Sequence, residues 1–116
     1  CACHKTARLL AEALALRAEA YRVTFQSRFG KAKWLEPYTE PTLRRLAAEG
    51  VRHVDVMCPG FTADCLETLE ELAIRGREQF MEAGGEQFAA LSCLNDGPVG
   101  MAMLEALVRR ELAGWI

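Results

Sequence analysis

No stretch of this sequence is apolar for long enough to cross a membrane as a helix, which takes about 20 residues. A basic surplus is also missing: 14 Lys and Arg stand against 16 Asp and Glu, and the formal net charge is −2. That balance lacks the electrostatic footprint of a nucleic-acid binder. No positively charged leader precedes an apolar run, so the secretory pattern is absent. Internal repeats and low-complexity tracts are absent too. Cysteine is present, but in odd number: Cys1, Cys3, Cys58, Cys65 and Cys93. An odd count without a secretory pattern argues against a disulfide framework and for a reducing, cytoplasmic setting. Cys58 and Cys93 read most simply as small buried hydrophobes. The first residue is Cys1 rather than methionine, and a helical pattern starts almost at once, so the expectation is a chain whose beginning is missing.

What is present is ordinary for a folded protein. The 116 residues suffice for one domain, 51% are hydrophobic and 26% are charged, so a core can form. Residues 5–16 carry Leu9, Ala13 and Leu16 on one helical face, with no Gly or Pro. Residues 21–25 alternate and predict a strand. A loop over 26–41 holds Gly30, Pro37 and Pro41. A short helix over 42–49 stops at Gly50. Residues 51–58 are the best strand, ended by Pro59 and Gly60. Thr62 can cap a long helix that runs to 83 and stops at Gly84-Gly85. A short strand over 88–91 follows, and Asp96 and Pro98 open a last helix that ends near Gly114.

Strands that alternate with helices imply an α/β fold: a parallel sheet, joined by right-handed crossovers and flanked by helices on both faces. Three strands behind an initial helix look cut, as if a first strand preceded Cys1. In such sheets ligands gather beyond the carboxyl ends of the strands. Those ends are 26–34, 58–67 and 92–96.

The unusual residues lie at these three places. The first run is Phe25-Gln26-Ser27-Arg28-Phe29-Gly30, then Trp34-Leu35 and Pro37-Tyr38-Thr39. The second is Cys58-Pro59-Gly60-Phe61-Thr62-Ala63-Asp64-Cys65-Leu66-Glu67-Thr68-Leu69-Glu70-Glu71. The third is Ala83-Gly84-Gly85, then Leu94-Asn95-Asp96 and Pro98. In this order, over nearly the whole chain, they resemble the C-terminal domain of the ferrochelatases. The form Cys65-Leu66-Glu67-Thr68-Leu69 is similar to proteobacterial members, which favours protoporphyrin over coproporphyrin as substrate.

The resemblance implies that residues 1–116 form the C-terminal, chelatase-like (Rossmann-like) domain of a two-domain enzyme. That enzyme inserts ferrous iron, its metal substrate, into protoporphyrin IX in the last step of haem biosynthesis. The partners implied are the porphyrin and the N-terminal domain of the same enzyme, with peripheral membrane association as a further family trait. The resemblance makes Glu67 the catalytic carboxylate, working with a histidine from the preceding segment. That histidine is absent here, so the isolated chain is expected to be inactive. Glu67, Asp64 and Glu71 become the metal-handling row, and Ser27, Arg28 and Trp34 the porphyrin contacts. The chemistry is consistent. Two pyrrole protons must leave, which needs a base, and carboxylates can pass a cation without trapping it. Arg suits a propionate because its fork binds both oxygens.

Each residue also has a plainer reading. On an α-helix Asp64, Glu67, Glu71, Arg75 and Glu78 form one charged stripe opposite Cys65, Leu66, Leu69, Leu72, Ala73 and Phe80, and such a stripe is usually a solvated face. Acids in a first turn also suit the helix dipole. Ser27 and Arg28 can be incidental loop residues, and Trp34 an anchor for a long loop. His53 lies within a strand and reads as structural. Cys65 stands where many family members have a histidine, and Arg75 interrupts the acidic row. The run Cys1-Ala2-Cys3-His4 has metal-binding residue types, and some family members carry an iron–sulfur cluster, but their cysteine pattern does not map here. Two other functions remain open: a small homodimeric tetrapyrrole chelatase, or a non-catalytic metal- or haem-binding module.

Overall fold

The computed structural model describes residues 2–27 and 30–115. Helix α1 spans Ala2–Ala13 and a single 3-10 turn follows at Ala18–Ala20. Next come α2 (Thr39–Ala48) and strand β1 (His53–Val56). A π-helix over Glu67–Gly76 runs straight into α3 (Arg77–Glu82). Strand β2 (Gln87–Ala90) and α4 (Pro98–Glu111) complete the chain. β1 and β2 pair in parallel, with Val54 opposite Phe88 and Val56 opposite Ala90. The connection between them passes through the π-helix and α3, so the unit is the α/β crossover expected from the sequence.

Glycines set the helix ends. Gly50 adopts φ +95 and Gly84 φ +102, a left-handed conformation that an L side chain resists. After α2, the Val51 N–H reaches the Leu46 carbonyl and the Gly50 N–H the Ala47 carbonyl. After α3, Gly85 bonds to Phe80 and Gly84 to Met81 in the same pattern. Both are Schellman caps, which satisfy the last carbonyls of the helix. Helix α1 ends three residues before its expected limit, with Ala15 at φ +53 in the equivalent place. Pro98 opens α4 directly after Gly97, where the missing N–H of proline costs nothing.

Two expectations are corrected. Residues 21–25 form no strand. Phe25 alone bridges to Tyr38, through the Phe25 N–H to the Pro37 carbonyl and the Thr39 N–H to the Phe25 carbonyl. The partner backbone turns into α2 at Thr39, so no ladder can grow, and the sheet among the described residues has two strands. The expected long α-helix over 62–83 begins at Glu67, and its first ten residues are wound with i→i+5 bonds. An apolar pattern cannot distinguish that winding from the α form over so few turns.

The core lies between the sheet and the helices. Leu43 and Ala47 of α2 meet Phe80 of α3, with Val51, Val54, Val56, Ala83 and Phe88 around them. Phe80 is fully buried, its ring centroid 6.1 Å from that of Phe88. Its ring also lies against Gly85, where any Cβ would overlap it. Gly76 is buried beside Phe88 and Leu43, where the π-helix meets β2 and α2. Phe80→Ala is therefore expected to cost about 3–5 kcal/mol in urea unfolding, the range for emptying a buried aromatic site. A loss well below that range would show that Phe80 is not the centre of the core.

Candidate active site

The site is assembled from the exits of the two strands and the loop before α2. Beyond β1 the chain reaches Asp64, and beyond β2 it reaches Cys93 and Asn95. Asp64 joins the two exits. Its backbone N–H donates to Asn95 Oδ1 at 2.8 Å, and Asn95 Nδ2 donates back to its carboxylate at 2.8 Å. The Cys93 backbone N–H and the Thr68 hydroxyl donate to the same carboxylate, at 3.2 and 2.9 Å. The Asn95 N–H also reaches the Thr62 carbonyl at 2.9 Å. The Asn95 amide, then the Thr68 hydroxyl and Cys93, hold the Asp64 carboxyl below its usual pKa. Asn95 takes φ +50, which asparagine tolerates better than most residues.

Glu67 is the first residue of the π-helix and is half-buried. Its carboxylate accepts a hydrogen bond from the Cys65 thiol at 2.9 Å, and that bond holds its pKa low. Cys58 and Cys93 lie close by. Burial, reinforced by the Asp64 charge, raises both thiols, Cys93 to about 11, so both remain protonated at neutral pH.

The loop closes onto the π-helix from the other side. Gln26 Nε2 donates to the Glu67 backbone carbonyl at 3.0 Å. The Ser27 hydroxyl donates to Glu71 Oε2 at 2.9 Å, with Ser27 at φ +56. Trp34 Nε1 donates to the Gln26 carbonyl at 3.0 Å, which pins the far side of the loop. Between loop and helix lies a cleft of about 340 Å³, lined among others by Phe25, Ser27, Trp34, Tyr38, Glu71 and Arg75. His4 of α1 meets Phe25 edge-on, with ring centroids 5.8 Å apart.

The structure thus brings Ser27, Trp34 and Glu71 to one cleft and sets the backbone of Glu67 at its edge. The Glu67 side chain engages Cys65, and Asp64 lies further back in the knot with Asn95. The expected charged stripe is divided: Asp64, Glu67 and Glu71 each have a different partner, and Arg75 pairs with Glu70 five residues earlier, the spacing of a π turn. Arg28 and Cys1 lie outside the described residues. His53 is exposed near Glu86, and Cys3 is exposed on α1. Among the described residues no three His, Cys, Asp or Glu side chains converge to hold a metal ion. No described helix is long and apolar enough to cross a membrane. Sequence reasoning passed over Thr68 and Asn95. Thr68 stands four residues after Asp64, a separation at which a hydroxyl can reach a carboxylate, whereas Asn95 is 31 residues away and has no such signal.

Comparison with known proteins bears on the whole length. The family model described as Ferrochelatase matches residues 1–112. The chain belongs to the ferrochelatase family. A ferrochelatase from Polaromonas sp. is 64% identical over 115 residues, which cover 99% of this chain and 31% of that protein. One from Methylibium petroleiphilum is 63% identical over 115 residues, covering 99% of this chain and 32% of that protein. One from Azoarcus sp. is 58% identical over 116 residues, covering all of this chain and 32% of that protein. The chain spans about a third of the length of these curated ferrochelatases.

The low pKa of Asp64 has a measurable consequence. Its folded value lies below its unfolded one, about 3.9. The stabilisation is full above the unfolded value and is lost as pH falls through the folded value. Asp64→Ala is expected to unfold at lower temperature than the unmodified protein at pH 7. The gap should persist down to about pH 4 and narrow only below it. A gap that is constant with pH would show that the carboxylate charge is not what ties the strands.

Proposed function

We propose that this chain is the C-terminal part of an enzyme that inserts ferrous iron into protoporphyrin IX to form haem. The supporting observation is family membership along the chain, joined to a cleft whose walls carry Ser27, Trp34 and Glu71, with the backbone of Glu67 bonded to the loop at its edge. The remaining two thirds of a full-length ferrochelatase would supply the other wall and the partner histidine. The enzyme would work in the cytoplasm, with any membrane association peripheral.

Each residue has a task that its chemistry suits. Glu67, held ionised, offers negative charge where a ferrous ion approaches, and a base for a pyrrole proton. Glu71, held by the Ser27 hydroxyl, adds a second carboxylate at the cleft wall, and Asp64, tied to Asn95, Thr68 and the Cys93 N–H, anchors the turn before Glu67. Ser27 and Arg28 reach the porphyrin propionates. Trp34, fixed by its indole hydrogen bond, presents an aromatic face to the macrocycle. The ferrous ion is substrate, so carboxylates rather than a closed ligand cage are the right chemistry for passing it on.

Glu67→Gln in the full-length protein is expected to lower turnover by about 10²-fold or more, the scale of general acid–base catalysis. Porphyrin binding, measured by fluorescence quenching, should change little. Glu78→Gln, at an exposed position of α3, should leave turnover unaltered. If the two variants behave alike, Glu67 has no special role. The isolated chain, mixed with ferrous iron and protoporphyrin under anaerobic reducing conditions, is expected to form haem no faster than the uncatalysed rate. Faster formation would mean that this segment carries a complete site.

A further inference from the structure

Cys65 is held more firmly than a loop cysteine needs to be. Its backbone N–H donates to Thr68 Oγ1 at 3.0 Å, and its carbonyl accepts from the Leu69 N–H at 2.9 Å. Thr68 is itself buried, 4% exposed, and hydrogen-bonded to Asp64, which is tied to the exit of β2. The Cys65 backbone is therefore tied, through Thr68 and Asp64, to the exit of β2. The Cys65 thiol donates to Oε2 of Glu67, the first residue of the π-helix, at 2.9 Å.

We propose that Cys65 is a positioning residue, whose thiol fixes the Glu67 carboxylate in the orientation used for metal insertion. The inference rests on the role given to Glu67 above. A glutamate has three rotatable side-chain bonds, and rotamer freedom is costly to freeze at the moment of reaction. A donor anchored through Thr68 and Asp64 removes that freedom beforehand, which is how a supporting shell makes a site accurate. A hydrogen bond to an ionised acceptor is also among the stronger kinds. The neighbouring thiols have other surroundings: Cys58 is raised mainly by burial, and Cys93 bonds to Asp64 through both its backbone N–H and its side chain.

The test uses the full-length enzyme. Cys65→Ala removes the donor, Cys65→Val fills the space without one, and Cys65→Ser restores a donor. Haem formation is measured anaerobically, with porphyrin binding and unfolding temperature in parallel. Both donor-less variants are expected to lose about tenfold in kcat, equivalent to about 1.4 kcal/mol of barrier. The KM for porphyrin and the unfolding temperature should be nearly unchanged, and Cys65→Ser should recover most of the rate. A kcat near that of the unmodified protein in a folded donor-less variant overturns the proposal. So does a serine variant as slow as the alanine one. The infrared S–H stretch of Cys65, assigned by its loss in Cys65→Ser, gives a readout independent of turnover. It should move to higher frequency in Glu67→Ala, and an unmoved band shows that the thiol does not hold Glu67, even if the donor-less variants fail to fold. An unmodified protein that forms no haem removes the function reading instead, and the band still decides the contact.

Discussion

Everything at this site depends on how Asp64 is satisfied. Parallel strands present their carboxyl ends side by side, but nothing in the ladder itself dictates where the chain goes next. Here one carboxylate accepts from the Thr68 hydroxyl, the Cys93 N–H and the Asn95 amide, and so welds the exit of β1 to the exit of β2. The weld lies at the start of the π-helix. It therefore determines where Glu67 begins and, through Thr68, where the Cys65 thiol is placed. A charge that accepts several hydrogen bonds holds such a junction better than a neutral group, because each bond is charge-assisted.

The π winding is the second constraint. An i→i+5 turn is one residue wider than an α turn and is seldom sustained, yet it recurs at functional sites. Here it lasts from Glu67 to Gly76. Its effect is to part acids that an α-helix would stack in one row. Glu70 meets Arg75, which removes that arginine from the acidic line, and Glu71 turns to Ser27. The widened helix packs at Gly76 against Phe88 and Leu43, so contact with the sheet and α2 supports a winding that is weak by itself.

Much of this was legible in the sequence, and the reasons are physical. Gly50, Gly84-Gly85 and Pro98 are strong punctuation, because left-handed turns and helix starts favour those residues over all others. The β-branched run through Val51, Val54 and Val56 and the aromatic Phe88 marked the strand pair. The stretch 21–25 misled because alternation predicts a strand only if a neighbour exists, and Tyr38 offers a single bridge. The helix over 62–83 was recognisable as helical but not as π, since its apolar spacing fits both windings. Ser27, Trp34 and Glu71 were found through resemblance, while their periodicity alone read as loop and solvated face. The tie through Asn95 could not be read, because it joins Asp64 to a residue 31 positions away through side chains with no period.

The loop that completes the cleft shows how local strain and long-range bonding balance. A non-glycine residue in the left-handed region carries a penalty of about 1–2 kcal/mol, and Ser27 is such a residue. A hydrogen bond to a charged group contributes about 1.5–3 kcal/mol, and Ser27 has one to Glu71. The two are of similar size, so Ser27 holds its conformation only while Glu71 is in place to receive it. Gln26 and Trp34 make the balance more robust. One fastens the loop to the Glu67 carbonyl and the other closes the loop on itself. The residue facing the cleft is thus held by the π-helix rather than by the loop's own preference. A shift of that helix would move Ser27 and the Glu67 backbone together, so the cleft wall and the start of the π-helix keep their mutual position.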